Sequence, residues 1–189
     1  MTYNPSFEKI KELANVNQSD VFQNLTHKKM KFEEVFSHIL TFMKTDPIGN
    51  YKLMMGTDSQ VHPSHTLFIT GIVIQRVGKG AWACFRKELV HRQMTTLHER
   101  ISYETSLTEQ VASLFTEQKK NELIEVVLPY IYKGATFTIE GHIDIGSGER
   151  NRTRVYVNEM VARIESLGME PKIKPDSIVA SSYANKYTK

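Results

Sequence analysis

The period of the apolar positions changes near residue 50, and the change divides the chain. Before it, Phe32, Val35, Phe36, Ile39, Leu40 and Met43 recur at helical spacing, and Asp46-Pro47-Ile48-Gly49-Asn50 breaks that helix. Upstream, Phe7, Ile10 and Leu13 indicate a shorter helix, and residues 15–29 are polar enough to form a loop. After residue 50 the pattern turns to strands. Residues 52–58, 66–77 and 81–91 are rich in branched and aromatic side chains, and Gly78-Lys79-Gly80 suits a hairpin between the last two. Thr96 and Glu99 have capping-box spacing, and helical patterning then runs to about residue 117. Residues 121–132 read as a helical or extended connection, and 136–145 as a fourth strand ending at Gly146-Ser147-Gly148. A helix over 151–167 stops at Gly168, 170–174 forms a short fifth strand, and 178–186 forms a last helix.

Strands joined through helices are normally parallel with right-handed crossovers. The order therefore predicts an α/β fold: a mixed five-stranded sheet, three antiparallel strands and then two parallel, flanked by helices. One domain is expected over residues 51–189, with an N-terminal helical extension over 1–50.

Composition narrows the class. With 189 residues, 40% hydrophobic and 24% charged, the chain can bury one substantial core. The single cysteine, Cys84, lies in an apolar run and cannot form an internal disulfide, which fits a reducing compartment, the cytoplasm. No apolar stretch approaches the roughly 20 residues of a membrane span, and the first residues lack the regions of a signal peptide, so no membrane partner is expected. A net charge of +3 and a pI of 8.9 are compatible with a polyanionic partner without requiring one. Cys84 and the scattered histidines lack zinc-site spacing.

Three acids occupy positions that a purely structural role explains less simply. Asp58 stands at the far end of the first apolar run, either as a metal platform or as the start of a turn through Val61-His62-Pro63-Ser64. On the long helix, Leu97, Ile101, Val111 and Phe115 define an apolar stripe, and Glu104 lies near its centre. A carboxylate facing the sheet must meet a cation, stay protonated, or lie at the rim of a site. Glu99 and Glu109 point elsewhere. On the fourth strand Phe137, Ile139, Ile143 and Ile145 share one face, so Glu140, His142 and Asp144 share the other. If this strand is parallel to the first, Asp144 is level with Asp58. Two strand-end carboxylates and one on a crossing helix would be placed to share divalent cations, and hard oxygen donors suit Mg²⁺ or Mn²⁺.

Other polar groups lie nearby. Arg150, Arg152 and Arg154 follow the glycine loop, either gripping phosphates or forming a solvated basic turn, and Lys172 and Lys174 would extend a basic track. His62, His65 and His142 are candidates for a proton shuttle or for satisfied polar positions. Trp82 and Phe85 read as core rather than as a base-stacking platform.

Gly56-Thr57-Asp58-Ser59-Gln60, His142-Ile143-Asp144-Ile145-Gly146 and Val179-Ala180-Ser181-Ser182-Tyr183-Ala184-Asn185-Lys186 resemble the YkuK-type bacterial branch of ribonuclease H-like proteins. The resemblance implies a ribonuclease H-like fold and metal-dependent phosphodiester hydrolysis by a two-metal mechanism on RNA, DNA or a hybrid. It implies that Asp58 bridges the metals and that Glu104 and Asp144 hold one each. The acid common on the last helix of such enzymes is matched here by Asn185, which brings no charge; Asp176 would compensate, or would cap that helix. Two other readings stand beside it: a binding module that keeps the fold without turnover, and a structural partner protein using the N-terminal helix as an interface.

Overall fold

The computed structural model describes residues 21–188; Phe7, Ile10 and Leu13 lie outside the described residues. The elements are β1 (Phe22–Gln23), α1 (Phe32–Thr45), β2 (Asn50–Val61), β3 (Thr66–Arg76), β4 (Gly80–Val90), α2 (Leu97–Ser113) and α3 (Glu117–Val127). A 3₁₀ turn (Leu128–Lys133) leads to β5 (Thr136–Ile143), and another (Arg154–Tyr156) to α4 (Val157–Glu165). β6 (Glu170–Lys172), a π-helical turn (Val179–Ala184) and α5 (Asn185–Thr188) complete the chain.

The sheet is mixed as expected, but it has six strands rather than five, in the order β1-β4-β3-β2-β5-β6. β2, β3 and β4 form the antiparallel meander, while β5 runs parallel to β2 and β6 parallel to β5. The additional strand, β1, lies within the segment expected to be loop and pairs Phe22 with Arg86 of β4. Two residues are too short to display a period. Phe22 is fixed there because its backbone also exchanges two hydrogen bonds with Met30, at 2.9 and 2.8 Å.

Three local expectations are corrected by side-chain chemistry. The capping box at Thr96 is not formed: Thr96 makes no side-chain cap bond to α2, and Glu99 pairs with Arg92 instead of reaching back. α2 ends at Ser113 rather than near residue 117, since the Thr116 side chain accepts from Lys119 N at 3.4 Å and starts a new helix. α4 begins at Val157 rather than near residue 151: Gly146 N donates to Thr153 Oγ1 at 3.0 Å and folds the intervening loop back.

The larger core lies on the sheet face covered by the helices α1 to α4. Tyr51, Leu53 and Met55 of β2 and Ile72 and Ile74 of β3 meet Val35, Ile39, Met43, Ile101, Val111, Met160 and Ile164 there. Each such side chain contributes roughly 1.5–3 kcal/mol when fully buried. α1 thus shares the core of the sheet.

The opposite face carries smaller clusters, Met54 and Val73 against Val179, and Ile69 and Phe85 against Ala184. Gly56 and Gly71, paired across β2 and β3, allow the C-terminal helix to approach closely. A Cβ on Gly56 would lie 2.8 Å from His142 O and 3.0 Å from Ala180 N, and one on Gly71 would lie 2.7 Å from Tyr183 Cδ1. That close seat determines what the last helix presents to the candidate site.

Candidate functional site

The parallel pairing of β2 with β5 ends at Thr57↔Ile143, while β2 stays paired with β3 as far as Val61↔Thr66. Asp58 and Asp144 are the next residues on the two strands. They flank the point where β5 leaves the sheet and β2 becomes an edge. Asp58 therefore starts no turn: the hairpin turn lies farther on and is closed by His62 N donating to His65 O at 2.8 Å.

Side chains reach this edge from both faces. On the face of the C-terminal helix, Thr188 Oγ1 donates to Asp58 Oδ2 at 3.1 Å. On the α2 face, Ser59 Oγ donates to Glu104 Oε1 at 2.5 Å, and Arg100 Nε stands 4.0 Å from the same oxygen. A chain of buried hydroxyls sets the height of α2: Thr57 Oγ1 lies 3.0 Å from Thr70 Oγ1 and 2.8 Å from Thr108 Oγ1, and Thr108 in turn donates to Glu104 O at 3.1 Å. The cation beside Glu104 comes from its own helix, one turn back.

The electrostatics are those of an anionic site short of positive charge. Burial, then the charge of Asp144, pushes the Asp58 carboxyl up to about 6, against the pull of Thr188, its own neighbouring backbone and Arg100. Burial pushes Glu104 up to about 8; the Ser59 bond and Arg100 oppose this, while the charges of Asp58 and Asp144 add to it. Glu104 therefore feels both aspartates, and Asp58 feels Asp144. Asp144 Oδ2 meets Lys174 Nζ at 3.1 Å, and Asp144 Oδ1 is buried without a hydrogen-bond partner.

Hard oxygen donors, mutual repulsion and an orphaned buried oxygen fit a divalent cation in chemistry. The packing is looser than that chemistry: among the described residues no three His, Cys, Asp or Glu side chains are gathered closely enough to hold a metal ion. The electrostatic coupling acts over a longer range than coordination does, so both observations stand. Arg100 and Lys174 supply the positive charge in the arrangement described.

The remaining predicted residues fall in different places. Asn185 turns its amide back along the helix, donating to Ser181 O at 3.2 Å, and Thr188 is the helix residue that meets Asp58. A π-helical turn holds more residues than an α turn, so it changes which later residue faces the sheet. Asp176 is exposed. Arg150, Arg152 and Arg154 are exposed on the loop between Asp144 and α4, with no ion pair among the described residues. Lys172 pairs with Glu170 at 2.5 Å.

His62 and His65 stack on each other at 4.6 Å in the hairpin turn. His142 is buried: its Nδ1 accepts from Val179 N at 3.0 Å, so Nε2 carries the proton given to Glu140 Oε2 at 3.0 Å. It is a satisfied polar group that anchors the C-terminal helix.

Ser59, Arg100 and Thr188 escaped the sequence reading. Ser59 adjoins Asp58, and Arg100 stands four residues before Glu104, spacing that invites a pair on one helix face. No sequence signal gave Thr188, because the π-helical turn hides its phase.

The model of the Ribonuclease H-like family matches residues 34–189. The chain belongs to the ribonuclease H-like family. It is 40% identical over 171 residues, 90% of this chain and 98% of the relative, to a Bacillus subtilis (strain 168) protein named Uncharacterized protein YkuK, which supports the YkuK-type branch. No solved structure matches the chain. Among the described residues of this ribonuclease H-like chain, no helix is long and apolar enough to cross a membrane.

Proposed function

We propose that this ribonuclease H-like protein is a divalent-metal-dependent nuclease that hydrolyses phosphodiester bonds by a two-metal mechanism. The observation that carries the reading is the register of β2 and β5, which sets Asp58 beside Asp144 where β5 ends, with Glu104 coupled to both. Asp58, Asp144 and Glu104 would hold Mg²⁺ or Mn²⁺, and Asn185 would offer a neutral fourth donor. When bound, such ions activate a water and stabilise the leaving oxygen of an in-line displacement.

The chain's own groups prepare the site. Ser59 orients Glu104 by donating to one of its oxygens, and Thr188 orients Asp58 in the same way. Glu104 must lose its proton to act as an anionic donor, and Arg100 favours that loss. Arg150, Arg152 and Arg154 would neutralise the phosphates of a nucleic-acid strand, and Lys172 and Lys174 would extend that track. The test is a labelled panel of RNA, DNA and hybrid substrates with Mg²⁺ or Mn²⁺. The wild type should cleave at least one and Asp58→Asn none; equal cleavage by both preparations would leave the reading without support.

One observation favours a second reading, a catalytically weak or inactive nucleic-acid-binding module. Asn185 brings no charge and its amide nitrogen is bonded within its own helix. In that case strands bind in the panel and none is cut.

A further inference from the structure

Tyr187 immediately precedes Thr188, the residue bonded to Asp58. Its ring stacks on that of Phe85 with centroids 4.0 Å apart and planes 23° from parallel, and the edge of Tyr183 closes one side at 5.5 Å. Phe85 belongs to the core, as its strand pattern implies, and is 5% exposed. Tyr187 is half-buried and lies over it, so the stack ends in a ring that reaches solvent.

Two cations lie beside this stack. Lys186 Nζ lies 5.7 Å from the Tyr187 centroid, and Lys87 Nζ lies 5.8 Å from the Phe85 centroid. Both lysines are exposed, and neither has a carboxylate partner among the described residues. Lys119 and Lys120, by contrast, are neutralised by Glu33 and Glu117. A solvent-reaching aromatic ring beside two cations without carboxylate partners has the chemistry to stack a nucleobase and neutralise neighbouring phosphates.

Its position follows from the register. Phe85 pairs with Gly71, which pairs with Gly56, two residues before Asp58. Two strand spacings across and two residues along put the stack about 12 Å from Asp58. That span is about two nucleotides of an extended single strand. The bases of a duplex are stacked on each other and offer no free face.

We propose that Tyr187, backed by Phe85 and flanked by Lys186 and Lys87, is a stacking platform for an unpaired nucleobase, and that the substrate of this site is a single-stranded nucleic acid. The proposal deepens the nuclease reading and rests on it for the role of Asp58; the binding itself is measured apart from hydrolysis.

The experiment uses the full chain in EDTA with fluorescein-labelled oligo(dT) and oligo(U), each free and annealed to its complement. Free strands should bind more tightly than duplexes, Tyr187→Leu should weaken free-strand binding about tenfold, and Tyr187→Phe should restore it to within about twofold. Lys87→Ala and Lys186→Ala should each flatten the salt dependence of binding by about one phosphate contact. A 5-bromouridine strand should photo-crosslink to the peptide holding Tyr187, which keeps the test available if Tyr187→Leu does not fold. A duplex preference, equal binding by Tyr187→Leu, or a crosslink confined to other peptides would overturn the proposal. Cleavage in the Mg²⁺ panel does not enter these readouts, so either reading can fail without the other.

Discussion

Glu140 and Glu104 are both sunk into the molecule, 3% and 7% exposed, yet they ionise in opposite directions. Burial pushes the Glu140 carboxyl up, but hydrogen bonds from His142 and Lys52 more than reverse this and hold it at about 2. Glu104 is held at about 8, because a serine hydroxyl and an arginine 4.0 Å away do not offset burial and two neighbouring acids. The first acid has its partners and is structural: it fixes His142, which fixes the C-terminal helix. The second lacks positive charge in a region shared with Asp58 and Asp144, and such a deficit marks a place where a cation would be welcome.

Removing Glu140 should give the largest effect on stability. Glu140→Ala leaves the buried Nε2 proton of His142 without its acceptor and should cost on the order of 3 kcal/mol by urea unfolding at neutral pH. Glu104→Gln should behave oppositely, raising stability at pH 8 and leaving it nearly unchanged at pH 5. A comparable loss in both variants would erase the distinction between the two acids.

Gly56→Ala sharpens the comparison from the other side of the sheet. The new methyl would meet His142 and the backbone of Ala180, forcing the C-terminal helix outward. A loss of about 1–3 kcal/mol is expected. Any cleavage activity should fall further than stability does, since Thr188 would be carried off Asp58. Full cleavage with a shifted unfolding midpoint would show that the seat of this helix does not matter to the site.

The pH dependence has a definite sign. Asp58 and Glu104 have raised folded values, so the folded chain binds more protons than the unfolded one between about pH 4 and pH 8. Stability from these two acids is greatest below their unfolded values near 4 and is lost as pH rises through about 6 and then about 8. Glu140 contributes the reverse: stability present above roughly 4 and lost as pH falls towards about 2. Urea unfolding without divalent metal should show stability declining from pH 5 to pH 8, with Glu104→Gln flattening the upper part of that window. A wild-type curve that rises over this range would contradict the assignment.

The smallest expected change is at Asn185. Asn185→Asp should tighten Mn²⁺ binding several-fold by calorimetry if, as proposed, residue 185 belongs to the donor set, because it adds a charge there. Identical titrations for the two chains would place residue 185 outside the metal shell.

Much of this arrangement was legible because it depends on period. Helical spacing alone turned Glu104 inward, and strand alternation together with parallel pairing set Asp144 beside Asp58. Single-residue chemistry was less visible. β1 is too short to carry a pattern, and Thr116 stops α2 while its apolar stripe continues into Phe115. The π-helical turn shifts the last helix so that Thr188 meets Asp58 and Asn185 turns back on its own backbone. Tyr187 was hidden for the same reason: Phe85 could be assigned to the core, but the ring that covers it depends on how the final turn is wound.

The most direct test of the central claim is carboxyl-carbon NMR titration of Glu104 and Glu140 with and without Mg²⁺. Without metal, Glu104 should titrate near 8 and Glu140 near 2. Saturating Mg²⁺ should move the Glu104 midpoint down into the ordinary carboxylate range and leave Glu140 in place, because a bound cation favours the charged form of the acids that hold it. A Glu104 midpoint indifferent to Mg²⁺ would contradict the account.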